Sequence, residues 1–300
     1  MKVTRLDLDG TGSPSGLVAK ILKAEPELKP PIPIEKLALQ LDIGEIGELA
    51  TEGFEGGLLT DEVRSFGGIL VKKGMQHQRR RFTIGHELGH FLLPFHKPAK
   101  AGQFLCSRDD MRQWSAKEND RAAQMEVQAN QFSALMLMPP PMLRKFIDRR
   151  RDPDLTQVLG LHEEFEVSKE AAARSFAEYH DQTIATVVVK DGKVLRIYKK
   201  RNKFPWMNIG VGDTVPANSS LKWAKQTEGC VSPLRQIGAE EWLETEYGKR
   251  PPELYEQVLP QARGFAIVLL WAEVPDEDDY DPDESRTAKQ RYKDRSTSRF

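Results

Sequence analysis

Residues 81–93, which read RFTIGHELGHFLL, constrain the fold of this chain more than any other stretch. Their apolar side chains fall nearly all the way round a helix, which indicates a helix buried in a core. His86 and His90 are four residues apart, so on a helix they leave the same face, rotated by about 40° and separated by roughly one turn. Both imidazoles can therefore bind one metal ion, and a divalent cation would compensate the cost of burying them.

Glu87 completes the pattern H-E-x-x-H. It lies about 100° round the helix from His86, where its carboxylate reaches a metal-bound water without becoming a third ligand. This is the arrangement of a zinc peptidase helix, and it predicts Glu87 as the catalytic residue. Three fixed positions in five residues occur by chance in many proteins, so a structural, metal-free pair of histidines is the alternative.

A second helix, predicted for residues 117–138 and ended by Pro139, contributes further polar residues. Its apolar residues form a stripe, with Glu126 inside the stripe and Asn130 one turn later. A zinc site with two histidines needs a third ligand, and a carboxylate on a buried face needs a cation, so Glu126 is predicted as that ligand. Asn130 is placed to hydrogen-bond one of the ligands from behind. The alternative is an ion pair between Glu126 and a nearby arginine such as Arg121.

His96 is a rival for the position of third ligand. It lies ten residues after His86, which is the spacing of the extended signature H-E-x-x-H-x-x-G-x-x-H. That signature requires a glycine at the position that Leu93 occupies here. Glu126 therefore ranks ahead of His96 as the third ligand.

The two motifs together resemble the ImmA/IrrE family of metallopeptidases. Residues 80–90 read RRFTIGHELGH and residues 126–139 read EVQANQFSALMLMP, and the resemblance spans roughly residues 33–141. Ser133 replaces the usual alanine, and the connection between the motifs is long, with Cys106 inside it. This connection is expected to form a lid or a pocket wall.

The resemblance implies a zincin-like peptidase domain in which His86, His90 and Glu126 bind the metal and Glu87 acts as the general base. Members of the family cleave helix-turn-helix repressors encoded beside them, which relieves repression of stress-response or mobile-element genes. A repressor of this kind is the protein partner that the resemblance implies.

Overall composition excludes several other classes of protein. The 300 residues have a formal net charge of −1, which does not favour a dedicated nucleic-acid or membrane binder. No apolar run approaches the roughly 20 residues that cross a bilayer, and residues 1–10 lack the apolar core of a secretory signal. Cys106 and Cys230 are too few for a disulfide framework and are expected to be free thiols. We therefore expect a cytoplasmic protein without a membrane partner.

The pattern of elements predicts an α+β fold in several parts. Residues 1–141 are expected to form the zincin-like peptidase domain, with the metal-binding helices beside a small antiparallel sheet made by residues 46–49, 57–59 and 66–71. Residues 142–182 are expected to form a helical, helix-turn-helix-like connector. Its many glutamates would repel phosphates, so a connector is favoured over a DNA-binding unit or a docking surface.

Residues 183–274 are predicted to form a separate α/β C-terminal domain, in the position where some family members have a GAF-like sensor domain. Two strands flank Asp191-Gly192 as a hairpin, and the apolar residues 264–272 indicate a central strand. A helical segment is predicted near residues 240–247. Residues 275–300 are almost free of apolar side chains and are expected to be disordered.

These observations predict a zinc-dependent endopeptidase, although manganese or iron also suit two histidines and a carboxylate. Zinc would lower the pKa of a bound water towards about 7 and polarise the scissile carbonyl. Glu87 would accept the proton of the water and pass it to the leaving amine. The alternative is a non-catalytic, metal-containing regulatory or DNA- or protein-binding module that acts through the middle helices and the C-terminal domain.

Overall fold

The computed structural model describes residues 1–97, 102–147, 152–200, 203–223, 227–245 and 251–273. The chain divides into two compact units, which we call the N-terminal unit (residues 1–146 and 160–172) and the C-terminal unit (residues 147–159 and the chain from 173 onward). The domain boundaries expected after residues 141 and 182 stay a prediction. The tail predicted to be disordered, residues 275–300, lies outside the described residues.

Helices and strands fall mostly into separate runs along the chain, and the strands pair mainly antiparallel, so the predicted α+β fold class is confirmed. The helices are α1 (Arg5–Leu8), α2 (Pro14–Ala24), α3 (Ile34–Gln40), α4 (His77–Leu92), α5 (Arg121–Leu137), α6 (Pro140–Phe146), α7 (Leu155–Glu164), α8 (Lys169–Tyr179) and α9 (Ser220–Trp223). The strands are β1 (Ile43–Leu49), β2 (Gly56–Thr60), β3 (Gly67–Lys72), β4 (Gln103–Cys106), β5 (Ile184–Lys190), β6 (Lys193–Lys199), β7 (Arg235–Ile237), β8 (Glu253–Pro260) and β9 (Phe265–Glu273). Within the described residues, none of the helices has both the length and the apolar character needed to cross a bilayer.

The sheet of the N-terminal unit has the strand order β1-β3-β2-β4. Strand β2 runs antiparallel to both of its neighbours, but β1 runs parallel to β3. The expectation of a purely antiparallel sheet of three strands was therefore wrong. The prediction failed because β3 inserts between β1 and β2. Pairing between strands that are not consecutive in the sequence is not encoded in the local pattern. Strand β4 was missed because its four residues give too short an alternation to detect.

Helix α4 packs against this sheet through apolar side chains. The contact is made by side chains that are fully buried: Leu58, Ile69 and Val71 of the sheet, and Ile84 and Leu88 of the helix. Each such side chain contributes about 1.5–3 kcal/mol when it is fully removed from water. The apolar circumference predicted for residues 81–93 thus fixes α4 in the core of the unit.

The end of α4 is held by Arg64, which lies in the loop between β2 and β3. The last carbonyls of a helix have no partner inside the helix. One guanidinium nitrogen of Arg64, Nη1, donates to the carbonyl oxygens of His90 at 3.1 Å and Leu93 at 2.8 Å. The positive charge also complements the negative end of the helix dipole. Arg64 therefore fixes the turn that contains His90.

Replacing Arg64 with alanine should loosen this turn without unfolding the unit. Hydrogen bonds to a charged group contribute about 1.5–3 kcal/mol, so amide exchange in the last turn of α4 should accelerate by about 10–100-fold. Hydrogen exchange measured by mass spectrometry on the full chain checks this. The exposed Arg235 supplies a matched control, and equal exchange in Arg64→Ala and Arg235→Ala would show that the carbonyl contacts contribute nothing.

Helix α5 begins later than its sequence predicted. The pattern indicated a start near residue 117, whereas α5 starts at Arg121 because Asp120 caps it. The carboxylate oxygen Oδ1 of Asp120 accepts a hydrogen bond from the backbone N–H of Ala123 at 3.0 Å. An acidic residue at this position satisfies one of the free N–H groups of the first turn.

The sheet of the C-terminal unit has the order β6-β5-β9-β8-β7, with every neighbouring pair antiparallel. The predicted hairpin is confirmed: β5 and β6 are joined by Asp191 and Gly192, whose φ angles of +50° and +76° suit a tight two-residue turn. The prediction of a central strand at residues 264–272 is confirmed by β9, which is third of five and almost completely buried.

The prediction of a helix near residues 240–247 is wrong for residues 240–245, the part of this segment that the structure describes. Only a single 3₁₀ turn, Ala239–Glu241, is found. The fully buried indole N–H of Trp242 donates to Glu256 on β8 at 3.1 Å, and Leu243 is also buried. These contacts anchor the segment in the core and override its local helical preference. The GAF-like character of this unit stays a prediction.

Candidate metal centre

Helix α4 presents its polar residues to the interior of the N-terminal unit. His86, Glu87 and His90 are all completely buried. The two histidine rings have their centroids 4.7 Å apart, and the distance between their Nε2 atoms is 3.1 Å. One turn of helix therefore brings two imidazole nitrogens to the same point, as the spacing of four residues predicted.

Helix α5 brings Glu126 to this point. Its Oε2 lies 3.2 Å from Nε2 of His86, and its Oε1 lies 3.5 Å from Nε2 of His90. Among the described residues, the ion pairs of Glu126 are with these two histidines rather than with Arg121. The side chain of Glu126 is 17% exposed while both histidines are fully buried, so solvent reaches the cluster on the side of α5.

Small residues allow the two helices to approach closely. A Cβ atom added at Gly85 would lie 2.6 Å from Oγ of Ser133, and one added at Gly89 would lie 3.2 Å from Cα of Ala129. The hydroxyl of Ser133 donates to the carbonyl oxygen of Phe82 at 2.8 Å, which uses the serine that replaces the usual alanine. The glycines of the motif thus determine how near Glu126 comes to the histidines.

The orientation of His86 is fixed by Asn130. The amide nitrogen of Asn130 donates to the carbonyl oxygens of Asp110 at 2.9 Å and Gln113 at 2.7 Å. Its oxygen Oδ1 must therefore accept, and it lies 2.9 Å from Nδ1 of His86. This places the ring hydrogen of His86 on Nδ1 and leaves Nε2 as a lone pair directed at Glu126.

A second hydrogen-bond chain orients His90 in the same way. Nε2 of His96 lies 3.0 Å from Oε1 of Gln128, to which it donates, so Nδ1 of His96 is an acceptor. Nδ1 of His90 lies 2.9 Å from it and donates. His96, considered as a rival metal ligand, has both ring nitrogens occupied by these contacts. Because His96 holds the ring hydrogen of His90 on Nδ1, Nε2 of His90 has no hydrogen.

Two imidazole lone pairs and a carboxylate therefore face one another without a hydrogen to share among the three groups. A divalent cation satisfies such an arrangement. Two nitrogens bound at about 2.0–2.1 Å to one tetrahedral zinc stand about 3.4 Å apart, close to the 3.1 Å between the histidine Nε2 atoms. Oε2 of Glu126 and Oε1 of Glu87 are buried and lack a hydrogen-bond partner in the described chain. The residues fit a metal ion of this class.

Burial and charge change the proton affinity of the cluster in a consistent way. Burial lowers the pKa of His90 to about 4 and that of His96 to about 3. Burial alone would raise the pKa of Glu126, but its contacts with the two imidazoles outweigh burial and lower it well below the usual range. His90 is thus neutral and the carboxylate of Glu126 is ionised near neutral pH, as metal ligands must be.

Glu87 has the opposite shift. Its burial raises the pKa of its carboxyl group to about 7, with the neighbouring His86 opposing this and the charge of Glu126 adding to it. A Cβ atom at Gly56 of β2 would lie only 2.5 Å from Oε1 of Glu87, so the backbone of β2 closes over the carboxyl group. A carboxyl group with a pKa near neutrality can both accept and release a proton.

The neutral histidines predict how the stability of the metal-free protein depends on pH. Below pH 6.5 the unfolded chain binds protons that buried His90 and His96 do not, so their burial contributes stability that is lost as pH falls towards about 4 and 3. His96→Gln removes one such group. The slope of the unfolding free energy between pH 4.5 and 6 should therefore become less positive by about 1.4 kcal/mol per pH unit. Urea unfolding with a chelator present measures this, and an unchanged slope would mean that His96 is protonated in the folded protein.

Cys106 is the residue that sequence reasoning left without a role. It ends strand β4, is fully buried, and its Sγ lies 3.7 Å from Nε2 of His90 and 3.8 Å from Oε2 of Glu87. Burial, with the carboxylates of Glu87 and Glu126 adding to it, raises the pKa of this thiol. No sequence signal marks it, because Phe104, Leu105 and Cys106 are consecutive apolar residues; only the strand in the structure places Phe104 and Cys106 on one face.

Comparisons with known proteins agree with this geometry. Residues 50–176 match the family model described as the IrrE N-terminal-like domain, a peptidase family. Over 169 residues the chain is 26% identical to the radiation response metalloprotease IrrE of Deinococcus radiodurans, a match that covers 55% of this chain and 48% of that protein. The chain therefore spans about half the length of this relative. A Mycobacterium tuberculosis transcriptional regulator has a TM-score of 0.43 and 7% identity over 89% of this chain and 74% of that one. This structural similarity is too weak to support any argument.

The family match includes α4 and α5, the two helices from which the cluster is built. A family of metallopeptidases uses a metal cofactor and acts on protein substrates, and the donor set of histidines and carboxylate agrees with such a cofactor. The family predicted from the two sequence motifs is confirmed. Residues 50–176 therefore form a domain similar to the IrrE N-terminal-like peptidase domain.

Proposed function

We propose that this protein is a zinc-dependent endopeptidase in which His86, His90 and Glu126 bind the zinc ion and Glu87 is the general base. The observation that supports this most directly is the convergence of two imidazole nitrogens and a carboxylate within 3.1–3.5 Å of one another. Three protein ligands with a fourth position open are typical of catalytic zinc sites. Asn130 positions His86, and His96 positions His90.

Zinc bound there would supply Lewis acidity, lowering the pKa of a water molecule and polarising the scissile carbonyl group. Glu87 accepts the proton of the attacking water and later donates it to the leaving amine. Its pKa of about 7 suits both transfers, since the group is neither strongly acidic nor strongly basic at neutral pH. Burial of His86 and His90 keeps bulk water away from the reacting carbonyl on their side.

Strand β4 offers a place for the substrate. It forms one edge of the N-terminal sheet and ends at Cys106, beside the cluster. Its residue Leu105 is 52% exposed. An extended peptide that pairs with this edge would lie next to His90 and Glu87, with alternate side chains directed towards and away from the unit. The strand thus supports cleavage of an extended, locally unfolded segment of a protein.

For the substrate we infer a helix-turn-helix transcriptional repressor, whose cleavage derepresses stress-response or mobile-element genes in the cytoplasm. The support is the family resemblance of the two motifs, together with the name of the relative, a radiation response metalloprotease. Zinc is proposed over manganese or iron because catalytic sites of peptidases with two histidines and a carboxylate suit it.

The substrate proposal is tested by incubating the full chain with the repressor encoded next to it, with zinc or manganese added. A single defined cut that disappears with a chelator is the expected result. Metal-dependent cleavage of an unrelated unfolded protein, with the repressor left intact, would overturn the substrate assignment and leave the peptidase assignment standing. No metal-dependent cleavage of either protein would count against an endopeptidase.

A further inference from the structure

Cys106 lies on the same side of its strand as an aromatic ring that contacts a proposed ligand. Residues two apart on a strand face the same way, and the ring centroid of Phe104 is 4.7 Å from that of His90. The backbone carbonyl of Cys106 accepts a hydrogen bond from the N–H of Glu55 at 2.9 Å, which holds the end of β4 in register. The thiol is therefore directed at the cluster by two independent contacts of its strand.

The sulfur lies where a fourth ligand would lie. The ligand atoms of His86, His90, Cys106 and Glu126 are all within 4.8 Å of one another. A thiolate sulfur and an imidazole nitrogen on one tetrahedral zinc, at about 2.3 Å and 2.0–2.1 Å, stand about 3.6 Å apart. The observed distance from Sγ of Cys106 to Nε2 of His90 is 3.7 Å.

A simple core role does not account for this placement. A buried cysteine behaves as a small apolar residue, yet Sγ of Cys106 contacts a carboxylate and an imidazole. The same pocket contains Oε1 of Glu87, which is buried and has no hydrogen-bond partner in the described chain. Both observations point to a cation at the centre of the four donors.

We propose that Cys106 is a fourth protein ligand of the metal ion and holds the peptidase in a resting state. This inference rests on the proposed function, because it uses the same three ligands. A site with four protein donors is closed, whereas catalysis needs one position open to water. Strand β4 is also the proposed edge for the substrate, so pairing of a substrate with β4 and displacement of the Cys106 sulfur involve the same strand.

One proton moves when the site changes between the resting state, with Cys106 bound, and the open state, with Cys106 displaced. When Sγ of Cys106 binds the cation its S–H bond breaks, and Oε2 of Glu87, at 3.8 Å, is the acceptor for the proton. When the sulfur leaves, the proton returns to it and Glu87 becomes a carboxylate again.

Cobalt substitution tests the proposal directly. The full chain loaded with one equivalent of Co²⁺ should show an intense near-ultraviolet band from thiolate-to-cobalt charge transfer, and X-ray absorption of the zinc form should show one sulfur neighbour at about 2.3 Å. Both signals should disappear in Cys106→Ser and Cys106→Ala. The zinc dissociation constant should rise by at least about 10-fold, since loss of even an indirect contact with a ligand costs that much.

Cys230 is the matched control, because it is an exposed thiol whereas Cys106 is buried. Cys230→Ser should leave both signals unchanged. Acetohydroxamate, a small ligand for open metal positions, should bind the cobalt form of Cys106→Ala at least about 10-fold more tightly than the wild-type form. Circular dichroism of each variant establishes that it is folded. If Cys106→Ala does not fold, the sulfur signal of the wild-type protein alone decides the question.

The results of these experiments distinguish the proposed role of Cys106 from the proposed peptidase function. Metal bound at one equivalent and lost in His86→Ala, but without a sulfur neighbour, would overturn the role of Cys106 and leave the three-ligand peptidase site standing. Metal binding that persists unchanged in His86→Ala, or no metal binding at all, would overturn both. A sulfur signal that survives in Cys106→Ser would also overturn the proposal.

Discussion

Replacing Glu87 with glutamine should lower the rate of peptide cleavage by about 10²–10⁴-fold, the range that a general acid–base contributes. Glutamine keeps the size of the side chain but can neither accept nor return the proton. The carboxyl group is completely buried under Gly56 of β2, so no other group replaces it easily. The rate is measured on a fixed peptide or on the repressor, with zinc content determined on the same samples.

Zinc content should remain at one equivalent in Glu87→Gln, because the carboxyl group is not among the proposed ligands. This separates a catalytic effect from a loss of metal. Gln128→Ala, which changes a neighbour of His96 rather than the proton-transfer group, provides a comparison with smaller expected loss. Normal cleavage by Glu87→Gln would refute the mechanism, and full retention of cellular function by an inactive variant would favour the non-catalytic regulatory alternative.

The second large effect is expected at Glu126. Glu126→Gln removes the negative charge that faces Nε2 of His86 and of His90 at 3.2 and 3.5 Å. A neutral amide is a poor ligand for zinc, so the zinc dissociation constant should rise by more than about 100-fold, which is the upper limit for losing only an indirect contact. Competition with a chromophoric chelator measures this constant, and cleavage should fall in parallel when zinc is limiting.

The control for this variant is Glu118→Gln, since Glu118 is exposed and lies just before α5. It changes the net charge by the same amount and should leave zinc affinity within a factor of about two, as expected for a surface charge. If Glu126→Gln binds zinc as tightly as Glu118→Gln does, then a different residue supplies the third ligand. His96 and Cys106 would be the next residues to replace.

Sequence reasoning was most accurate where the chemistry lies within one helix. The spacing of His86 and His90 fixes their common face through the 3.6-residue period alone, and the position of Glu126 on the inner stripe of α5 follows from the same period. The structure brings these three residues together. Their roles as ligands, and that of Glu87 as base, stay predictions until metal content and cleavage are measured.

Sequence reasoning failed where contacts join distant parts of the chain. The parallel pairing of β1 with β3 and the existence of β4 depend on which strands meet, and local patterns do not encode that. The same holds for the helix expected near residue 240, where Trp242 is drawn into the core instead. Packing over long separations outweighs local propensity at such places.

The sequence by itself predicted the candidate donor atoms of this protein, because helical periodicity converts spacing directly into direction. It also predicted the similarity to the peptidase family, through two motifs in a fixed order. Only the tertiary structure decided which residues surround those donors. The contact of His96 with His90, the carbonyl contacts of Asn130, and the approach of the Cys106 sulfur to within 3.7 Å of Nε2 of His90 arise from loops and a strand whose positions depend on the whole unit. Direction within a helix is a local property, whereas proximity between elements is settled only when the core packs.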